Sequence, residues 1–271
     1  MNILFLGDIV GRSGREAVIK YLPRLREKLQ PDIIIANGEN AAAGFGITQK
    51  LAHEFFALGI HCLTTGNHVW GQKELAGQID REPNLLRPLN YPEGTPGRGA
   101  TVVETPRGQK ILILNVIGRL FMDAADDPFA VTQKFLAAHR LGQSAAAIFI
   151  DFHGEASSEK MAFAHYVDGR VSAVIGTHTH IPTADAMILP GGTAYQTDAG
   201  MCGDYDSVIG MKKEAPMVKF TRKIPTDRLT PAEGDGTLCG VFIVVDDRTG
   251  RAAAIRPVRI GGKLQGTEGS D

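Results

Sequence analysis

The sequence is poor in cysteine and in aromatic residues, with three cysteines, one tryptophan and 7% aromatic residues among 271. The odd number and scattered positions of Cys62, Cys202 and Cys239 argue against a disulfide framework. No apolar run approaches the roughly 20 residues that a membrane-spanning helix needs. The amino terminus has no basic segment before its short apolar run, so a signal peptide is not expected. We therefore expect a cytoplasmic protein with reduced thiols and no membrane partner.

The sequence also lacks an excess of either charge, since 29 Lys and Arg face 30 Asp and Glu. A net charge of -1 gives no overall field that would attract nucleic acid or an anionic membrane. The 43% of hydrophobic residues suffice for a sizeable core. These properties favour an ordinary soluble globular protein, leave a local basic patch open, and are compatible with a homo-oligomer.

Short apolar runs alternate with amphipathic segments along the chain, which predicts α/β architecture with buried strands. Pro23 should break or kink the first helix. The runs "ATVVE" and "KILILNVIG" predict a hairpin across "TPRGQ". The segments "AMILPGGTAYQTD", "MVKFTRK" and "GVFIVVDDRTGRAAAIRPVRI" are also interpreted as hairpin-like strands. Helices are predicted at residues 15–29, 48–58, 73–79, 128–141 and 158–166.

Two sheets packed face to face, with helices outside, accommodate this order of elements. We predict a single domain over residues 1–260, because no stretch has the composition of a linker. The Gly-rich residues 261–271 are predicted to form a flexible tail.

Each strand in the α/β part is followed by side chains that can bind metal or phosphate. Ligands bind outside the carboxyl ends of strands in open α/β sheets, so these side chains should converge on one crevice. In "GTHTHIPTAD", the two histidines should point to the same side of an extended chain. Imidazole and carboxylate together suit Mn, Fe or Zn. The residues concerned are Asp8, Glu39, Asn40, Asn67, His68, His153, His178 and His180.

Each of these signals alone has a simpler structural explanation. Asp8 could be a turn residue, "NGEN" a helix cap, Asn67 and His68 a buried hydrogen-bonded pair, and "HTH" an exposed strand end. Their conjunction favours a shared metal site, because each unsatisfied buried polar group costs roughly 1–3 kcal/mol. His61, His139 and His165 fall outside this pattern and are assigned to surface or structural roles.

In order along the chain, the motifs "GDIVG", "NGEN", "GNHVW", "DFHGEASSEK", "GTHTHIPTAD" and "TDAGMCG" resemble those of the calcineurin-like metallophosphoesterases, specifically the bacterial YmdB-type branch. The resemblance covers essentially the whole chain. It implies a four-layer αββα sandwich of two mixed sheets flanked by helices, with a dinuclear metal centre at the carboxyl ends of the strands. It also implies a metal-dependent phosphodiesterase that hydrolyses cyclic nucleotides, notably 2′,3′-cyclic nucleotides.

The resemblance carries over residue by residue. Asp8 matches a ligand of the first metal, but Val10 stands where the family usually has a histidine ligand, and Asn40 could fill that position. Glu39 matches the carboxylate that bridges both metals. Asn67, His153 and His178 match ligands of the second metal, and His180 matches the last ligand of the first. His68 matches the catalytic histidine.

Two divalent or mixed-valence ions of Fe, Mn or Zn, about 3.5–4 Å apart, would clamp the phosphate and acidify a bridging water for in-line attack. His68, as imidazolium, would donate a hydrogen bond or proton to the leaving oxygen, or stabilise the charge on the equatorial oxygens. Asp151, Glu155 and Asp185 are candidates for orienting the ligand imidazoles, with helix caps or solvated loop carboxylates as equal alternatives.

Several alternatives stay open from the sequence. Arg12 and Arg15 could neutralise substrate, although a solvated helix face is favoured, and Cys202 is a packing residue in preference to a reactive one. A phosphomonoesterase or nucleotidase could use the same site. The chain could instead be a metal-loaded regulatory protein that binds a nucleotide or a protein, with incidental hydrolysis.

Overall fold

In this computed structural model, which describes residues 1–267, two large β-sheets pack face to face. The first has the order β13-β12-β1-β3-β4 and the second the order β5-β6-β7-β8-β10-β9. The strands are β1 Asn2–Leu6, β2 Asp8–Ile9, β3 Ile33–Asn37, β4 Cys62–Thr64, β5 Ala100–Glu104, β6 Lys110–Ile117, β7 Ala147–His153, β8 Ala173–Thr177, β9 Met187–Ile188, β10 Ala194–Gln196, β11 Met201–Cys202, β12 Leu238–Val245 and β13 Ala252–Ile260.

Parallel pairing dominates the centre of each sheet. Strands β1, β3 and β4 are parallel neighbours in the first sheet, and β6, β7, β8 and β10 are parallel in the second. The outer pairs are antiparallel, including the predicted β5–β6 hairpin and the β12–β13 hairpin with its turn at residues 246–250. Both sheets are therefore mixed, and the carboxyl ends of their central strands carry the site described below.

Three apolar cores separate four layers. The inner core lies between the sheets and includes Phe5, Ile35, Ile113 and Phe149. A second core joins the outer face of the first sheet to helices α1 and α2, and a third joins the second sheet to α3 and α4. The predicted αββα sandwich is thus confirmed. The helices are α1 Gly11–Leu29, α2 Gln49–Ala57, α3 Pro128–Ala138, α4 Ser157–Val167 and α5 Glu214–Arg222.

Local signals explain where the predicted helices begin. The Thr48 side chain accepts a hydrogen bond from the Leu51 amide at the start of α2, and Asp127 caps α3 through the amides of Phe129 and Ala130. Helix α1 starts earlier than predicted and continues through Pro23, so of the two predicted outcomes, a break or a kink, the break does not occur. Pro23 has no N–H that could donate to the Ile19 carbonyl. Ile19 is 54% exposed, so water can donate a hydrogen bond to this carbonyl instead.

Two predicted secondary-structure elements were wrong. Residues 73–79 do not form an α-helix but lie in short 3₁₀ turns at Lys73–Gly77 and Ile79–Arg81, because the segment is short and interrupted by glycine. The segment "MVKFTRK" is not a strand but part of α5. Glu214 in its first turn and Lys219 and Arg222 in its last turn complement the helix dipole.

Two further expectations concern membrane-spanning helices and the C-terminal tail. Within residues 1–267, no helix combines the length and apolar character that crossing a bilayer requires. In the predicted tail, Thr267 accepts from and donates to the backbone of Arg259, at 2.8 and 3.0 Å. Residues 268–271 of that tail lie outside the described residues, and its flexibility stays a prediction.

The contact between the sheets generates a stability prediction. The rings of Phe5 and Phe149 are fully buried, with centroids 5.1 Å apart. Phe149→Ala should lower the free energy of unfolding by about 3–5 kcal/mol, because a cavity forms between rigid sheets. The control is Phe220→Ala on α5, where the ring is 75% exposed and the expected change is below about 0.5 kcal/mol. Urea denaturation of both variants checks this, and equal losses would contradict it.

Candidate metal centre

The first group of donor atoms surrounds the Nε2 atom of His153. Asn67 Oδ1 lies 2.9 Å from this nitrogen, His178 Nδ1 3.0 Å and Glu39 Oε1 3.1 Å. The ligand atoms of Glu39, His153 and His178 all lie within 4.8 Å of one another. These atoms come from loops and strand ends of both sheets, and together they can hold a metal ion.

The orientation of the His153 ring follows from its other nitrogen. Nδ1 lies 3.0 Å from the Thr177 hydroxyl, and that hydroxyl donates to Asp151 at 2.6 Å. Thr177 must then accept from Nδ1, which leaves the Nε2 lone pair directed at the donor group in the neutral ring. Asp151 therefore acts on His153 through Thr177. Burial raises the pKa of Asp151, whereas hydrogen bonds from Thr177, Thr64 and Asn37 oppose that rise.

Electrostatics require a positive charge between His153 and Glu39. Burial favours the neutral forms of both groups, but their mutual attraction is stronger. It raises the pKa of His153 to about 9 and lowers that of Glu39 to about 2. In the free protein a proton supplies this charge, and a bound cation would supply it in the loaded protein. Burial also lowers the pKa of His178, to about 3, so this ring is a neutral ligand at pH 7.

A second group of donors surrounds Asp8, which is fully buried. Its Oδ2 accepts from the His178 amide at 3.2 Å, whereas Oδ1 has no hydrogen-bond partner among the described residues. His180 donates through Nδ1 to the Ile209 carbonyl at 2.7 Å, so its Nε2 lone pair lies toward Asp8 Oδ1, at 3.9 Å. Burial raises the pKa of Asp8 to about 7, against the opposing effect of His180 and His153.

Asn40 supplies a further unsatisfied oxygen. Its amide NH₂ donates to the Gly44 carbonyl at 3.0 Å, while its buried Oδ1 has no partner in the described part of the chain. An orphaned carboxylate oxygen, an orphaned amide oxygen and a free imidazole nitrogen are the chemistry of a cation site. The residues present therefore fit a second metal ion.

The two donor groups open onto one cavity of about 360 Å³. His68 lines this cavity, and its backbone amide donates to Glu39 Oε2 at 3.2 Å. Neither ring nitrogen of His68 has a hydrogen-bond partner within residues 1–267, so both can meet a bound substrate. Burial lowers the pKa of the His68 imidazole, against the opposing effect of Glu39.

The histidine loop after β8 departs from the extended chain that the sequence predicts. His178 has φ 98° and His180 has φ 67°, in the left-handed region that residues other than glycine rarely adopt. The two side chains therefore do not share one face of a strand, and each reaches a different donor group. Such backbone costs on the order of 1–3 kcal/mol for each residue and persists only where surrounding contacts hold it.

A buried ion pair holds that loop. Lys160 and Asp198 are both fully buried, and the Lys160 Nζ atom lies 2.9 Å from Asp198 Oδ2. Lys160 also donates to the Thr177 carbonyl at 2.7 Å. Asp198 accepts from the Thr179 amide and hydroxyl, at 3.0 and 2.8 Å. The pair therefore fixes the backbone on both sides of His178.

The chain matches the model of the "YmdB-like protein" family over residues 4–258. It belongs to the YmdB-like family. It is 48% identical, over 96% of its length and 97% of that protein, to the 2′,3′-cyclic-nucleotide 2′-phosphodiesterase of Bacillus subtilis. A solved structure from Thermus thermophilus, described as a hypothetical protein, has a TM-score of 0.90 at 41% identity and covers 97% of this chain and 100% of that one. A novel phosphatase from Mycoplasma pneumoniae has a TM-score of 0.89 at 33% identity, covering 96% and 93%.

Glu155, Asp185 and Cys202, which the sequence singled out near the site, make different contacts in this YmdB-like protein. Glu155 Oε2 lies 3.1 Å from His178 Nε2. Asp185 accepts hydrogen bonds from the Thr197 amide and hydroxyl, and within residues 1–267 it has no hydrogen bond to His153, His178 or His180. Cys202 is buried and donates to the Cys239 carbonyl at 3.3 Å, and burial raises its thiol pKa, so it packs without forming a reactive thiolate.

The two arginines of the first helix lie apart from the donor atoms. Arg12 pairs with Glu16 on the exposed face of α1, at 3.6 Å. Arg15 donates to the Ala41 carbonyl at 2.6 Å and so fastens the loop that carries Asn40. Of the remaining histidines, His61 accepts from the Ile34 amide, His139 contacts the Phe135 carbonyl, and His165 lies exposed on α4.

Sequence reasoning missed Gly66, Thr177, Lys160 and Asp198. A Cβ on Gly66 would collide with His153 Nε2 and Glu39 Oε2, so only glycine leaves room for the donor group. A glycine before "NH" at a strand end is a signal that could have identified it. The motifs "DFHGEASSEK" and "TDAGMCG" contain Lys160 and Asp198, but nothing in either motif indicates that they pair.

The ion pair generates a prediction for this YmdB-like protein. Lys160→Met leaves the Asp198 carboxylate buried and uncompensated, and should lower the free energy of unfolding by about 3–5 kcal/mol. Adding Asp198→Asn should restore part of that loss, because the stranded charge is removed while an acceptor for Thr179 remains. Urea denaturation of the single and double variants measures this. Additive losses in the double variant would contradict the coupling.

Proposed function

We propose that this protein is a dinuclear-metal phosphodiesterase that hydrolyses 2′,3′-cyclic nucleotides. The observation that carries the proposal is the convergence of two buried donor groups, around His153 Nε2 and around Asp8 Oδ1, on one cavity that His68 also lines. The 48% identity to a relative of that activity over nearly the whole chain supports the same substrate class. The three buried free thiols support a cytoplasmic location.

The proposed ligands divide between two ions. Asn67, His153 and His178 would hold one ion, and Asp8, Asn40 and His180 the other, with Glu39 between them. Imidazole, carboxylate and amide oxygen accept Fe, Mn and Zn. Ions held by these residues would supply positive charge for the phosphoryl oxygens and would lower the pKa of a water, so that hydroxide would be available at neutral pH for in-line attack.

The chain's own residues then do three things. Thr177, with Asp151 behind it, fixes the His153 ring, and Ile209 does the same for His180. Glu39 accepts from the His68 amide and so ties the catalytic loop to the proposed bridge. His68, whose ring nitrogens have no hydrogen-bond partner within residues 1–267, donates a hydrogen bond or proton to the leaving ribose oxygen. Because burial lowers its pKa, the anionic phosphate must favour the imidazolium on binding.

A second candidate activity is phosphomonoester hydrolysis. The Mycoplasma pneumoniae structure with a TM-score of 0.89 is described as a phosphatase, and a two-metal site can serve both reactions. The two hypotheses differ in the substrate that turns over fastest.

The experiment that tests the proposal is a side-by-side assay of 2′,3′-cyclic, 3′,5′-cyclic and linear phosphoesters with Mn²⁺, Fe²⁺ or Zn²⁺ added to chelator-treated protein. We expect the highest kcat/KM on a 2′,3′-cyclic nucleotide and about two metal ions per chain by elemental analysis. Equal or higher kcat/KM on monoesters would replace the proposal with the phosphatase hypothesis. Nucleotide binding without turnover would favour a regulatory role.

The role of His68 gives a separate prediction. His68→Ala should retain the metal content of the wild type and lower kcat by about 10²–10⁴-fold, the usual contribution of a general acid. Its control is His165→Ala, which removes an exposed imidazole on α4. Steady-state kinetics and elemental analysis of both variants provide the test. Unchanged turnover in His68→Ala would remove this residue from the mechanism.

A further inference from the structure

One wall of the cavity does not belong to the metal centre. The apolar part of the cavity lining consists of Phe45, Ile209, Met211 and Leu229. Metal chemistry does not require these side chains. Ile209 is half-exposed, Phe45 and Leu229 are partly buried, and Met211 is buried. Exposed apolar groups beside a charged centre are unfavourable in water unless a ligand covers them.

Ile209 is the most constrained member of this wall. Its φ of 47° is a rare conformation for a β-branched residue. Reciprocal backbone hydrogen bonds between Val208 and Met211, at 2.9 and 3.0 Å, hold the turn in place. The Ile209 carbonyl accepts from His180, while its side chain, 50% exposed, lines the cavity. Strain that serves both the ligand histidine and the cavity wall is typical of a functional position.

Phe45 is also held in place by contacts with neighbouring side chains. Its ring meets the ring of His68 edge to face, with centroids 5.1 Å apart and planes at 83°. The Arg228 guanidinium lies over the same ring, 5.7 Å from its centroid. The two contacts fix the orientation of the ring next to the proposed catalytic histidine.

We propose that Phe45, Ile209, Met211 and Leu229 form a subsite for the base and ribose of the nucleotide, next to the phosphate at the metal centre. This inference rests on the proposed function and specifies where the base and ribose of the substrate bind. The apolar wall has no side-chain group that could read the hydrogen-bonding edge of a base, whereas stacking and apolar contact suit every base. The subsite therefore accepts purine and pyrimidine nucleotides alike.

The test compares substrates with and without a base. Wild-type protein and Phe45→Ala are assayed on 2′,3′-cyclic AMP, 2′,3′-cyclic UMP and glycerol 1,2-cyclic phosphate, which carries the cyclic phosphate alone. We expect wild-type kcat/KM values for the two nucleotides within about tenfold of each other. Phe45→Ala should lower both by about tenfold or more, mainly through KM, and should lower the value for glycerol cyclic phosphate by a clearly smaller factor.

Phe220→Ala is the matched control, because it removes an aromatic ring that is 75% exposed on α5 and does not line the cavity. It should leave all three values unchanged. A readout without turnover uses adenosine: saturation-transfer NMR should detect adenosine on the wild type and on Phe220→Ala, and a weaker signal on Phe45→Ala.

Three results would overturn the subsite. They are equal losses on all three substrates in Phe45→Ala, a preference of more than a hundredfold for one base in the wild type, and an adenosine signal that Phe45→Ala leaves intact. Failure of the proposed function has a different signature. In that case the wild type hydrolyses none of the three cyclic phosphates, whatever residue 45 is.

Discussion

The structure depends on how buried carboxylates at the site are compensated. Asp8, Glu39, Asp151 and Asp198 all lie out of water. Lys160 neutralises Asp198, and hydrogen bonds from three side chains stabilise Asp151. Asp8 and Glu39 have no such partner and depend on histidines for positive charge. Burying an uncompensated ion costs several kcal/mol, so this pair of carboxylates makes the site selective for cations.

The same compensation explains why the histidine loop can adopt unfavourable backbone angles. Positive φ at His178, His180 and Ile209 would relax in an isolated loop. Here the loop follows directly after strand β8, and the Lys160–Asp198 pair fixes the backbone of Thr177 and Thr179. Local strain is therefore maintained by an interaction that lies outside the two donor groups.

The sequence predicted the parts of this arrangement that follow from pattern. Alternation of apolar runs and amphipathic segments indicates the layers, and polar residues at strand ends indicate the crevice. It did not predict what depends on tertiary contacts. The pairing of Lys160 with Asp198 joins α4 to the loop after β10, and no local signal records it. The positive φ of His178 lies in a loop that this pair holds through Thr177 and Thr179, which the sequence does not reveal, so the predicted extended chain was wrong.

Helix α5 shows a second limit of prediction from the sequence. Residues Met217 and Phe220 are apolar yet 56% and 75% exposed, so they carry no information about a buried face. Hydrophobic periodicity assumes that apolar residues are inside, and it fails where they are not. Charge placement at the helix ends was the better guide there.

The position of the centre between the two sheets links core packing to chemistry. Asp8, Glu39 and Asn67 follow strands of the first sheet, whereas His153 ends a strand of the second and His178 follows another. The separation of these donors is thus set by how the sheets stack, about 10 Å apart in packed sheets, and the Phe5–Phe149 contact lies in that interface. Protein interiors are close-packed and transmit displacements without absorbing them. A change of volume in the inner core would therefore shift the donor atoms of one sheet against those of the other, so the spacing of these donors depends on the packing of the whole sandwich.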